Sequence, residues 1–155
     1  LPKKTQCNWM NSMYYLGIDV GTSSVKALLV DEEGRVVKTA SPEYEFQTPK
    51  PLGAETDPSI WWDATQFAIK ELLSGEDPNN VKGVGLTGQM HGMCLLDNND
   101  MILRPCIMWN DQRSHKECDE IAEKVGKQKV IEITGNPVLP GFTAPKIFHT
   151  SLLLF

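Results

Sequence analysis

The chain has 155 residues, of which 41% are hydrophobic and 23% charged, and a net charge of −5. That length supports one domain with its own core, and the composition excludes a disordered, collagenous or coiled-coil protein. An acidic chain without a basic cluster is unsuited to holding duplex nucleic acid or an anionic membrane through its net field, although backbone amides can still form a local anion site.

Residues 1–12 show no hydrophobic period and read as a leader ahead of Met13. Tyr14 to Asp19 is an apolar run of β-formers and predicts a buried strand. Gly21-Thr22-Ser23 predicts a turn, Val25 to Val30 a second strand, and Asp31-Glu32-Glu33-Gly34 a hairpin turn. Val36 to Tyr44 or Phe46 predicts a third strand, giving an antiparallel meander. After a loop from Thr48 to Gly53, Asp57 and Pro58 suit the N-cap and first position of a helix. The spacing of Trp61, Ala64, Ala68 and Leu72 carries that helix to about Leu73.

A turn over Gly75 to Asn80 leads to a strand over Val81 to Leu86. Short strands follow at Met93–Leu96 and Ile107–Trp109, with a turn at Asn98-Asn99-Asp100 and a short extended piece at Ile102–Leu103. Ser114 to Val125 predicts a helix, with Ser114 and Glu117 spaced as a capping box. Val130 to Thr134 fits helix or strand, and Gly135 to Gly141 is a proline-rich loop. Strands, then a helix, then strands predict an α/β fold with a mixed sheet.

Four cysteines, at 7, 94, 106 and 118, are loosely spaced, with no C-x-x-C and no secretory signal. Free thiols in a reducing, cytoplasmic compartment are expected. His91, His115 and His149 do not complete a zinc-ligand spacing with them. No apolar run is long enough to span a membrane.

Four motifs carry chemistry. In Gly17-Ile18-Asp19-Val20-Gly21-Thr22-Ser23 a strand delivers Asp19 at its carboxyl end. The amides of Gly21, Thr22 and Ser23 are then placed to form an anion nest. A carboxylate beside such a nest suits Mg²⁺–phosphate chemistry, with Asp19 as the metal-orienting group; a plain hairpin turn with Asp as turn former is the alternative. Gly83 to Gly88 matches the spacing of a dinucleotide fingerprint but follows a turn rather than a strand, so that reading is rejected. Its glycines are expected to let a central strand pass close to a neighbour or a ligand. In Gly88-Gln89-Met90-His91-Gly92, Gln89 and His91 suit hydroxyl groups, Gln doing so as both donor and acceptor; a structural His in a turn is the alternative. In Trp109-Asn110-Asp111-Gln112-Arg113, an aromatic face beside an amide, a carboxylate and a guanidinium suits a sugar; a helix N-terminus capped by Asp111 or Ser114 is the alternative.

Taken in order, YLGIDVGTSSVKALLVDEEGRVV, DPSIWWDAT, GVGLTGQMHGMCLLD, RPCIMWNDQRS and TGNPVLPGFTAPK resemble the N-terminal domain of the FGGY carbohydrate kinases, from Met13 to about Ile147. GQMHG and WNDQR point to the xylulokinase branch. The resemblance implies a ribonuclease-H-like (actin-like ATPase) domain, with a mixed sheet whose first three strands are antiparallel and with helices on the faces. It implies phosphorylation of a ketose, D-xylulose, by ATP with Mg²⁺. Asp19 would then lie near the metal and the transferred phosphoryl group, and Gly21, Thr22 and Ser23 at the phosphate turn. Gln89, Met90 and His91, with Trp109 and Asp111, would face the sugar. A homodimer is implied for the full-length enzyme.

The family's catalytic base is a second Asp that has no position in this sequence, and the adenosine site lies mostly in a second domain. Residues 148–155 depart from the family pattern and read as an atypical tail from a truncated gene or a fragment. Three alternatives follow: a non-catalytic sugar-binding fragment, a kinase for another ketose or polyol such as ribulose, or another actin-like ATPase. The last should lack GQMHG and WNDQR.

Overall fold

A computed structural model describes residues 13–154. The expected leader, residues 1–12, and Phe155 of the expected tail lie outside the described residues. The chain divides into two units, one comprising residues up to Glu43 together with Asp63–Gly88, the other Tyr44–Trp62 and the residues from Gln89 onward.

The first unit is built on a four-stranded sheet. β1 (Tyr14–Val20), β2 (Val25–Asp31) and β3 (Val36–Ala40) form the expected antiparallel meander. β5 (Val81–Gly88) runs parallel to β1, so the order is β3-β2-β1-β5 and the sheet is mixed. Alternation sorts the faces: Tyr14, Leu16, Ile18, Val25, Ala27 and Leu29 are buried, while Tyr15, Asp19 and Leu28 are exposed. β3 ends earlier than its sequence suggests. The Val25 amide donates to Pro42 O at 3.1 Å, and a proline has no amide with which to continue the ladder. β5, expected to be central, bonds among the described residues to β1 alone.

Helix α1 (Pro58–Leu72) starts as expected: Asp57 Oδ1 accepts from the Ser59 amide at 2.9 Å. It buries Thr65, Ala68 and Leu72. The turn that follows is tied to the strands. Glu76 accepts from Tyr14 Oη at 2.9 Å and pairs with Lys38 Nζ at 2.9 Å. These two donors, Lys38 first, hold the Glu76 carboxyl below its usual range.

The second unit holds a small ribbon and three helices. β4 (Glu55–Thr56) pairs antiparallel with β6 (Cys106–Ile107). The strands expected at 93–96 and 102–103 are reduced to single bridges, Met93 to Ile107 and Leu96 to Ile102. Ala54, Cys106 and Met108 form a buried cluster, with Phe46 and Trp61 packed against it. α2 (His115–Val125) and α3 (Lys127–Thr134) flank Gly126, at φ 92°, and α3 stops at Gly135, at φ 72°. The ambiguous segment 130–134 is therefore helical.

The expected capping box is absent. Ser114 Oγ makes no bond to the helix; it donates to Pro140 O at 3.2 Å. Glu117 is buried and meets His149 Nδ1 at 2.9 Å on α4 (Thr143–Leu154). α4 crosses Ile147 without interruption, so residues 148–154 continue a helix.

Candidate functional site

Asp19 sits exposed near the carboxyl end of β1, in register with Lys26 on β2 and Thr87 on β5. One residue pair back along the same face, Gly17 lies between Leu28 and Gly85. A Cβ on Gly85 would meet nothing within 4 Å. The missing side chains leave a trough of about 520 Å³, with Asp19, Lys26 and Thr87 along its end. The glycines of β5 thus divide in role. Gly85 opens the trough, a Cβ on Gly83 would lie 3.4 Å from the Tyr15 ring, and a Cβ on Gly88 would come within 3.0 Å of Val20 O.

The turn after β1 differs in detail from the expected nest. The Gly21 amide donates to Ser24 O at 2.9 Å, closing the turn. A Cβ there would lie 3.0 Å from that oxygen, a tight approach that favours glycine. This bond withdraws the Gly21 amide from anion binding and leaves Thr22 and Ser23 as the candidate lining of the turn.

Among the described residues, no group of three or more His, Cys, Asp and Glu side chains gathers to hold a metal. Asp19 nevertheless fits Mg²⁺. That ion keeps several waters and is held by one or two carboxylates together with substrate phosphates. A single exposed carboxylate beside an open trough meets that requirement.

The second unit carries the residues of the GQMHG and WNDQR motifs. His91 is exposed and adopts φ 63°, in the left-handed region. Its ring lies 4.6 Å from that of Phe142, tilted by 44°. Its carbonyl is anchored from below, accepting from Lys146 Nζ at 2.8 Å and Thr143 Oγ1 at 3.4 Å. Lys146 is fully buried and also donates to Gly141 O at 2.6 Å. Burial pushes its pKa down. One ammonium on α4 therefore fixes both the His91 turn and the Gly141 turn.

Trp109 is half exposed, and its carbonyl abuts Gly141, where a Cβ would lie only 2.5 Å away. His91, Trp109, Gln112 and Phe142 converge on a pocket of about 310 Å³, floored by Leu139–Gly141. A larger apolar cavity, of about 480 Å³, is lined by α2, α3 and residues 136–145 and shares His91 and Phe142 with it.

Asp111 takes a different part from the one its motif suggested. It has no exposed surface, and its carboxylate accepts from the Ala54 amide at 2.7 Å and from the Arg113 amide and Nε, each at 2.9 Å. Arg113 also reaches Glu55 at 2.6 Å, and Arg104 meets the same Glu55 oxygen at 2.7 Å. Burial alone would raise the Asp111 carboxyl. The Arg113 side chain and the amides of Ala54 and Arg113 outweigh it and hold the group below the usual carboxylate range. Asp111 positions the loop behind Trp109 and offers no open oxygen to a sugar.

Met90 is exposed and, like half-buried Gln89, lies outside the lining of the His91–Trp109 pocket. The motifs gave no role to Lys146, Phe142 or Glu55. The run TGNPVLPGFTAPK, which holds the first two, was the available signal.

The sequence profile of the FGGY family of carbohydrate kinases, N-terminal domain, matches residues 14–149. The xylulose kinase of Klebsiella pneumoniae is 47% identical over 133 residues, which are 86% of this chain and 27% of that protein. A xyloylose kinase from Brucella ovis superposes with a TM-score of 0.78 at 47% identity, over 86% of this chain and 28% of the other. A ligand-bound xylulose kinase from Lactobacillus acidophilus gives 0.81 at 29% identity, over 88% and 28%. The chain spans about a quarter of the length of the curated relatives it matches. With that profile match over nearly its whole length, the chain belongs to the FGGY family of carbohydrate kinases, as an N-terminal domain.

Proposed function

We propose that this domain belongs to an ATP-dependent kinase that phosphorylates D-xylulose to D-xylulose 5-phosphate. The convergence of His91 and Trp109 on one pocket carries the reading. The indole offers a flat apolar surface to sugar C–H groups, and the imidazole donates to or accepts from a hydroxyl. Xylulose kinases among the relatives support the choice of sugar.

Asp19 would hold Mg²⁺ beside the phosphates of ATP, in the trough opened by Gly17 and Gly85. Once bound, the ion supplies neutralisation of phosphate charge. The residues of this chain do the rest: Asp19 orients, the β1–β2 turn at Thr22 and Ser23 lines the phosphates, and His91 and Trp109 orient the ketose. The free state of Cys94, Cys106 and Cys118 supports a cytoplasmic setting.

The test is steady-state kinetics of the full-length enzyme. Asp19→Ala should lower kcat by about 10²–10³, the cost of losing one transition-state charge partner. His91→Ala should chiefly raise KM for D-xylulose. Unchanged kcat in Asp19→Ala, or unchanged KM in His91→Ala, would refute the assigned roles.

A further inference from the structure

Cys94 and Cys106 lie on facing segments of the second unit. Met93 and Ile107 exchange both backbone hydrogen bonds, N to O at 2.9 Å and 3.2 Å. They are thus a hydrogen-bonded antiparallel pair. Extending that bridge by one residue sets Cys94 opposite Cys106 in a non-hydrogen-bonded position, where Cα atoms typically stand about 4.5 Å apart and side chains come closest. Neighbours across the ribbon project to one face, and the Cys106 side chain is the leading influence on the Cys94 thiol, while Cys106 Sγ itself lies 3.6 Å from Ile107 O. A disulfide accepts a Cα separation of about 4.4–6.8 Å, so this site can close without a large backbone shift.

The two thiols differ in a way that suits sequential chemistry. Cys94 is exposed, whereas Cys106 has no exposed surface. The neighbouring Cys106 side chain lowers the Cys94 pKa to about 7, which leaves a substantial thiolate fraction in neutral solution. The same pairing, with burial, pushes the Cys106 pKa up.

We propose that Cys94 and Cys106 form a peroxide-sensitive dithiol that closes to an intrachain disulfide. The Cys94 thiolate attacks one peroxide oxygen; the O–O bond breaks, hydroxide leaves and takes up a proton as water, and the sulfur becomes a sulfenic acid. Cys106 sulfur then attacks Cys94 sulfur. The S–O bond breaks, and the oxygen leaves as water with the Cys106 proton. In sum, two thiols are oxidised to a disulfide, and one hydrogen peroxide is reduced to two waters. A dithiol reductant reverses the bond by exchange.

The position gives the bond a consequence. Cys106 Sγ packs against Gly92, where a Cβ would be 3.0 Å away, and Gly92 adjoins His91. Turning that sulfur toward Cys94 removes the contact behind the His91 turn. The effect on sugar binding rests on the function proposed above; the cross-link does not.

The experiment uses the 155-residue chain with Cys7→Ser, so that a thiol outside the described residues cannot exchange. After brief hydrogen peroxide treatment and alkylation, peptide mapping should recover Cys94 joined to Cys106 and Cys118 still reduced. Cys94→Ser, an exposed change, should abolish rapid peroxide consumption. Iodoacetamide labelling of Cys94 should titrate with a midpoint of about 7. In Cys106→Ala, which leaves no side-chain donor, the neutral-pH labelling rate should fall roughly tenfold as the thiolate fraction drops. The proposal is overturned if Cys94 accumulates as sulfinic acid, if Cys118 oxidises as fast, or if the cross-link joins two chains. Should Cys106→Ala fail to fold, the cross-link map and Cys94→Ser still decide. Loss of D-xylulose binding without a cross-link would count against the function, and a cross-link without altered binding against only its link to the sugar pocket.

Discussion

Asp111 and Arg113 are two positions apart on one loop, and burial makes each dependent on the other. Removing one partner of such a pair strands the other charge, at a cost of about 3–5 kcal/mol. Arg113→Ala should therefore destabilise the chain by that order, read as a lower urea midpoint. The lowered carboxyl of Asp111 sets the pH response. A depressed folded pKa contributes stability above the unfolded value of about 3.9, and that stability is lost as pH falls through the folded value. Asp111→Asn should flatten the acid limb of the urea midpoint below about pH 4 while lowering stability at neutral pH. His91 poses the opposite case, an exposed side chain on a strained backbone. Both His91→Ala and His91→Gly lose the ring, but only glycine relieves φ 63°. His91→Gly should be the more stable variant, by about 1 kcal/mol, in calorimetric melts. Equal stabilities would mean that the turn relaxes once the Phe142 contact is gone.

Among the elements, the loop from Gly135 to Gly141 shapes the His91–Trp109 pocket through a single close approach. Gly141→Ala would drive a methyl group into the Trp109 carbonyl. Overpacking of this kind costs about 1–3 kcal/mol, and the loop should also retreat from Trp109. A lower melting temperature would register the strain; an unchanged melt would show that the loop yields freely. The elements that the sequence disclosed are those with long, one-sided patterns: β1, β2, α1 and α2. The positions of Asp19, at a strand end, and His91, in a glycine-flanked turn, were legible because local sequence sets both. β4 and β6 were missed or displaced because two residues cannot establish a period. Val130 to Thr134 stayed ambiguous because its β-branched residues favour strand, whereas Gly126 and Gly135 bracket a helix. The capping box failed for a tertiary reason: Pro140 captures the Ser114 hydroxyl and His149 captures Glu117. The sugar-type residues of the Trp109 motif likewise could not be sorted by sequence, because only burial separates Trp109 from Asp111.

At the scale of the whole molecule, the described chain covers one domain of a family whose members are far longer. The resemblance assigns the proton-accepting Asp to a region outside this sequence. The isolated 155-residue chain should therefore bind D-xylulose weakly, by calorimetry, and release no ADP from ATP; sustained ADP release would show that the domain holds its own base. The sheet of the first unit adds a practical consequence. Among the described residues, β5 pairs with β1 alone and carries exposed Val84 and Leu86. Such an edge is a template on which another strand can add. Handled alone in concentrated solution, the domain would self-associate by ribbon extension, so the β5 margin is where solubilising charge should be introduced first.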